Sequence, residues 1–288
     1  MNHLARKNIQ TLKPYSSARH EFEGTAEIFL DANENPFENG MNRYPDPLQT
    51  EVKKRIQEIK GIAPKNIFLG NGSDEAIDLL MRIFCEPGKD HIITLPPTYG
   101  MYQVSADICG VAIKKVNLTA NFQPDASAIL TAANQHSKIL FICSPNNPTG
   151  NSIDRKIIEN LIQNFSGIVV IDEAYIDFAE GESTTSFIGQ YPNVVILQTF
   201  SKAWGMAGIR LGMAFASEEI INLFNKVKPP YNVNVLTQKT ALEGMSDAEG
   251  VYEKVNTILA ERTRLEKLLP NFSFVQKVYP SDLSLIHI

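Results

Sequence analysis

Lys202 follows an apolar, β-branched run from Val194 to Thr199 and enters a stretch of small residues, with Arg210 eight positions later. Gly205, Ala207, Gly208 and Gly212 leave room beside the backbone for a bulky planar molecule. An amine held in so crowded and partly dry a place is expected to lose its proton readily and to act as a nucleophile. Forming an imine with an aldehyde requires that property. A bare Ser-Lys pair also reads as a surface lysine at a strand end, so the meaning of Lys202 depends on what accompanies it.

Four further strings stand where parallel strands should end, the place at which open α/β sheets bind ligands. Gly70-Asn71-Gly72-Ser73-Asp74-Glu75 is a glycine turn opening a helix, a cup for phosphate or a plain helix start capped by Ser73. It lacks the third glycine of the dinucleotide fingerprint. In Ile168-Val169-Val170-Ile171-Asp172-Glu173-Ala174-Tyr175 an aspartate ends an apolar strand, where a buried carboxylate needs a cation or several donors. A protonated pyridine nitrogen is such a cation, and keeping it protonated makes the ring an electron sink. A strand-end cap or an Asp-Glu metal pair is the alternative. Ser144-Pro145-Asn146-Asn147-Pro148-Thr149-Gly150 is a proline-fixed loop from which Asn147 could donate to a ring oxygen, and Pro96-Pro97-Thr98-Tyr99-Gly100-Met101-Tyr102 offers an aromatic that can stack on a planar ring. Taken with Lys202, these strings point to pyridoxal phosphate.

Seven strand-like runs position these groups: Asn66–Leu69, His91–Leu95, Val111–Asn117, Lys138–Cys143, Ile168–Ile171, Val194–Thr199 and Met213–Ala216. Amphipathic stretches at Leu48–Lys60, Glu75–Phe84, Arg155–Phe165 and Glu218–Val227 alternate with them. The pattern predicts an α/β fold with a mostly parallel seven-stranded sheet and helices on both faces. The large domain should span residues 43–245, after an N-terminal arm at 1–42 that includes part of a small domain. Residues 246–282 should supply a linking helix and, at Phe272–Val278, the first strand of an incomplete small α+β domain. The 288 residues are 43% hydrophobic and carry a net charge of −5, so a large core is possible and a nucleic-acid footprint is not indicated. The N-terminus leads into no apolar stretch, and no run is long enough to span a bilayer. Three widely spaced cysteines, Cys85, Cys109 and Cys143, read as buried free thiols of a cytoplasmic protein.

The ordered set GNGSDE, PTYGMY, SPNNPTG, IDEAY and SKAWGMAGIRLG resembles the class I/II aminotransferases of pyridoxal-phosphate fold type I. Pro14-Tyr15-Ser16-Ser17-Ala18-Arg19, Asp31-Ala32-Asn33-Glu34-Asn35-Pro36 and Asn42-Arg43-Tyr44-Pro45-Asp46 narrow it to the histidinol-phosphate aminotransferases, over about Leu12 to Asp282. The resemblance implies that Lys202 carries the cofactor and shuttles the proton, Asp172 pairs with the pyridinium nitrogen, and Tyr175 and Asn147 reach the ring hydroxyl oxygen. It puts Tyr99 on the ring face. It puts the amides of Ser73 and Asp74, with Ser201 and Arg210, on the phosphate. Tyr44 is assigned to a neighbouring subunit's cofactor, hence a homodimer, and Tyr15 and Asn33 to the substrate pocket. The implied substrates are L-histidinol phosphate and glutamate/2-oxoglutarate, in histidine biosynthesis, with no metal, nucleic acid or membrane partner. Other class I/II aminotransferases and threonine-phosphate decarboxylase share the cofactor residues, and a cofactor-binding regulatory module is the non-enzyme alternative. The substrate-holding arginines of the family lie beyond Asp282, and Arg262 and Arg264 read as a solvated helix face. Residues 283–288 back-translate in one frame to CTG TCT CTT ATA CAC ATC, a transposon-end adapter string, and are expected to be non-native.

Overall fold

The computed structural model describes residues 1–15 and 32–288, so Ser16 to Arg19 and Asp31 of the motifs above lie outside the described residues. Seven strands form one sheet: β1 (Ile67–Asn71), β2 (His91–Thr94), β3 (Ala112–Lys115), β4 (Ser137–Cys143), β5 (Ile168–Asp172), β6 (Val194–Thr199) and β7 (Leu211–Ala216). Their order is β1-β7-β6-β5-β4-β2-β3. All neighbours run parallel except β7, which is antiparallel to both β6 and β1. This is the mostly parallel seven-stranded sheet expected, and the aspartate-bearing β5 is its middle strand.

Nine α-helices are found among the described residues. They are α1 (Lys7–Thr11), α2 (Thr50–Lys60), α3 (Gly72–Phe84), α4 (Met101–Ile108), α5 (Ala126–Ala132), α6 (Arg155–Asn164), α7 (Glu218–Val227), α8 (Val235–Gly244) and α9 (Ala248–Leu268). Successive strand residues point to opposite faces, so an apolar run with no polar alternation must be covered on both sides. Strand β4 shows this: Leu140 and Ile142 join the core layer containing Ile56 of α2 and Leu161 of α6, while Ile139 and Phe141 join the layer of α3 and α7. On the latter side Phe68 stacks on Phe224 at 4.6 Å. Asp125, Asp154, Asn234 and Asp247 cap α5, α6, α8 and α9 by accepting first-turn N–H groups.

The first eleven residues pack on this body, with Ala5 and Ile9 buried in the α3/α7 layer and the Arg6 N–H donating to Ile83 O at 2.8 Å. Phe272–Val278 is not a strand. No other strand lies free beside it among the described residues, so its N–H and C=O groups have no ladder to join, and Phe272 and Phe274 stay exposed. Ser281 and Leu283 are instead the buried residues of the C-terminal segment, with Leu283 set against Tyr175, Phe178 and Val255.

Candidate active site

Strands β4, β5 and β6 end side by side, in register Cys143–Asp172–Leu197, so the loops that follow them crowd one edge of the sheet. Strand β7 runs the other way and therefore starts at that same edge, which brings Arg210 back beside the Lys202 loop. Two glycines make the closure possible. A Cβ at Gly212 would lie 2.1 Å from Ser73 N and 2.2 Å from Gly72 C, so β7 approaches the first turn of α3 as closely as only glycine allows. Gly72, at φ +71°, donates its N–H to Arg210 O at 2.7 Å, and a Cβ there would lie 2.9 Å from Arg210 Nη2.

The result is a cavity of about 150 Å³ bordered by Ser73, Asp74, Tyr99, Asn147, Asp172, Tyr175, Ser201, Lys202 and Arg210, nine of the residues named from the sequence. Gly72, Cys143, Ala174 and Thr199 complete its lining. Tyr15, Asn33 and Tyr44 do not border it. Tyr15 is 73% exposed, Asn33 sits exposed at φ 51°, and Tyr44 stacks on Tyr231 at 4.4 Å.

Lys202 projects from a turn closed by Gly205 N–H donating to Lys202 O at 3.0 Å. Phe200 and Trp204, edge to face at 5.3 Å, anchor that turn in the core. The Lys202 Nζ stands 5.3 Å over the Tyr175 ring, and Asn147 Nδ2 donates to Tyr175 Oη at 3.4 Å. Contrary to the crowded setting expected, Lys202 is exposed, because Gly205, Ala207, Gly208 and Arg210 beside it are exposed too and leave that wall open. A Cβ on Gly205 or Gly208 would meet nothing within 4 Å, although Gly205 at φ +66° still calls for glycine, so the tight contact is at Gly212 and serves backbone packing.

At the opposite end Asp172 is 2% exposed. Its Oδ2 accepts from Tyr102 Oη at 2.7 Å and its Oδ1 from Ala174 N at 3.1 Å. Burial pushes its carboxyl up to about 6, against the pull of those two donors. Burial likewise pushes the neighbouring Cys143 thiol up to about 12. Of the two readings of this turn, the plain start capped by Ser73 does not hold: Asn71 is the N-cap, and the Glu75 carboxylate reaches back to the Asn71 N–H and side-chain amide. Ser73 and Asp74 thus fall in the first turn of α3, where N–H groups have no intrahelical acceptor and the helix end favours an anion by about 0.3–1 kcal/mol, or up to ~2 when partly buried. Arg210, at φ 53° and 54% exposed, holds its guanidinium 3.6 Å from Asp74 Oδ2, and Tyr99 Oη donates to Asp74 Oδ1 at 3.1 Å.

Two contributors escaped the sequence reading. Tyr102, fully buried, lies behind Asp172, and no local pattern in the sequence marks it. Glu173 is no metal partner: 2% exposed, it accepts from Ser183 Oγ, Thr184 N and Oγ1, and Gln198 Nε2, pinning the loop that follows β5. Arg262 is not solvated either, since its Nη1 donates to the carbonyls of Phe178 and Leu283. Arg264 stays exposed, paired with Glu261 at 2.8 Å.

A guanidinium and free helix N–H groups at one end, an amine beside them and a buried carboxylate at the other end suit a phosphorylated aromatic aldehyde with a ring nitrogen. Fold and site together define a class of group-transfer enzymes. A family model described as aminotransferase class I and II matches residues 25–283, and the chain belongs to that family. Its relatives are specific. A histidinol-phosphate aminotransferase of Parabacteroides distasonis is 56% identical over 283 residues, covering 98% of this chain and 82% of that protein. One of Flavobacterium johnsoniae is 55% identical over 289 residues, covering 99% and 83%. The crystal structure of the histidinol-phosphate aminotransferase from Clostridium acetobutylicum superposes with a TM-score of 0.74 at 25% identity, covering 84% of this chain and 73% of that one. That of Sinorhizobium meliloti, solved in complex with pyridoxal-5'-phosphate, shares the fold at a TM-score of 0.77 and 21% identity, over 85% and 67%.

Proposed function

We propose that this chain catalyses transamination of L-histidinol phosphate with 2-oxoglutarate, with pyridoxal phosphate as cofactor, as a cytoplasmic homodimer in histidine biosynthesis. The observation that carries this reading is the convergence of Lys202, Asp172 and Arg210 on one cavity at the carboxyl edge of the sheet. The names of relatives more than half identical supply the substrate. When bound, pyridoxal phosphate supplies an aldehyde carbon that bonds reversibly to amines and a ring that takes up the electron pair left by a departing proton.

The chain's own residues do the rest. The Arg210 guanidinium, the Ser201 hydroxyl and the Ser73 and Asp74 N–H groups bind the phosphate, the guanidinium as a charge-assisted donor. Asp172 keeps the ring nitrogen protonated. Tyr175 and Asn147, already linked to one another, hold the ring hydroxyl oxygen, and Tyr99 packs against the ring face. Lys202 Nζ would hold the cofactor through its aldehyde carbon and, as a free amine, would carry the proton between the substrate Cα and that aldehyde carbon. Tyr15 and Asn33 contribute to substrate binding. Tyr44, exposed and stacked on Tyr231, would reach the phosphate in a partner subunit.

Absorbance of the purified chain provides the test. Adding pyridoxal phosphate should produce a visible band, and L-histidinol phosphate without acceptor should bleach it, whereas L-aspartate and L-threonine phosphate should not. A band that responds to those compounds and ignores L-histidinol phosphate refutes the substrate assignment; no band at all refutes the cofactor.

A further inference from the structure

Neither the motifs nor the family resemblance gives Tyr102 a task, yet it touches two groups of the site. Its side chain is 0% exposed, stacks on Phe141 at 4.5 Å and 19°, and meets the Tyr99 ring edge to face at 5.6 Å and 83°. Its hydroxyl donates to Asp172 Oδ2 at 2.7 Å. A buried phenol needs a partner and a buried carboxylate needs donors, and here each supplies the other. Because Phe141 and Tyr99 fix the ring plane, the hydroxyl is delivered to one carboxylate oxygen without torsional freedom, leaving the rest of Asp172 for the cavity.

Resting on the cofactor assignment above, we propose that Tyr102 is a positioning residue that keeps Asp172 ionised and aligned with the Tyr99 face, so that a protonated ring nitrogen meets a charged carboxylate. The groups around Asp172 show why a donor is needed. Asp74, from the first turn of α3, and the adjacent Glu173 both favour its protonated form. Cys143 on β4 and the Tyr99 phenol are held neutral by burial. Tyr175, Lys202 and Arg210 border the same cavity, but among the described residues only Tyr102 and the Ala174 N–H donate to the carboxylate. Removing one hydroxyl would leave a single amide to oppose desolvation and two like charges.

Tyr102→Phe preserves the ring and deletes that hydroxyl. The Asp172 carboxyl midpoint, followed in the cofactor-free chain by difference infrared spectroscopy and assigned by its loss in Asp172→Asn, should rise from about 6 by about one to two pH units. Pyridoxal phosphate should then bind roughly two- to tenfold more weakly than to the unsubstituted chain at pH 7, with the deficit closing by about pH 9. Phe141→Leu, which loosens the packing but keeps the hydroxyl, should leave the midpoint in place. An unmoved midpoint in folded Tyr102→Phe, or an equal rise in Phe141→Leu, overturns the proposal. Should Tyr102→Phe fail to fold, 3-fluorotyrosine at position 102, a stronger donor, decides: it must lower the midpoint. A chain that binds no pyridoxal phosphate sinks the cofactor assignment while leaving the infrared titration a valid test of Tyr102.

Discussion

Gly212→Ala puts the packing argument under direct strain. The added Cβ would stand 2.1 Å from Ser73 N and 2.2 Å from Gly72 C, both backbone atoms that no rotamer change can move aside. Ordinary contact needs about 3.5 Å, so β7 and the first turn of α3 must separate by roughly 1 Å. Overpacking of this kind costs about 1–3 kcal/mol, and the upper end applies because the obstacle is main chain. The same displacement moves the Ser73 and Asp74 N–H groups away from Arg210 and so spoils the anion site. Urea unfolding of the cofactor-free protein should show a loss of about 2–3 kcal/mol, and pyridoxal phosphate affinity should fall by at least about tenfold. Gly208→Ala, where a Cβ meets nothing within 4 Å, is the internal control and should stay within about 0.5 kcal/mol. Equal stability of the two variants would refute the claim that the site depends on this contact.

Three other outcomes follow from the same geometry. Lys202→Ala should abolish the visible band and cost about 10²–10⁴-fold in turnover, read by single-turnover absorbance. Asp172 ionises near 6 when folded against 3.8 for an unburied carboxyl, so between those values the native state holds the extra proton. Stability of the cofactor-free protein must therefore fall as pH rises from about 4 to 6, by up to about 3 kcal/mol from this group, and Asp172→Asn should flatten that slope in urea titrations. Lys53, 6% exposed, is lowered to about 8 by burial and then by the nearby Lys228 ammonium. It titrates low in the native state, so stability should rise between about pH 8 and 10.5, and Lys53→Met should raise stability at pH 7 by about 1–3 kcal/mol with a shallower alkaline slope.

Much of this fold was legible because burial on two faces writes itself as uninterrupted apolar runs. Strand β6 and helix α7 fall on the very residues that the pattern marks, Val194–Thr199 and Glu218–Val227. Phe272–Val278 misleads because alternation describes a strand's faces and says nothing about whether a partner exists. Ser73 misleads because serine before an acidic pair looks like a cap, whereas Glu75 turns back to Asn71 and moves the helix start two residues upstream. Tyr102 was hidden for a different reason. Its partner is 70 residues away, and no local pattern reports that a phenol on a short helix will meet the end of a strand. Tyr15, Asn33 and Tyr44 carry a role by family likeness alone; their chain segments lie off this cavity.

The reversed strand at position seven has a kinetic corollary. Its pairing with β6 joins residues such as Thr199 and Gly212, near neighbours in the chain, whereas its pairing with β1 joins Ile67 to Phe215. Amine and guanidinium can thus be assembled early, as a local unit, but the anion cradle exists only after a long loop has closed. A chain stalled before that last zippering would keep Arg210 and Ser201 but lack the Ser73 and Asp74 N–H groups that complete the grip on a phosphate.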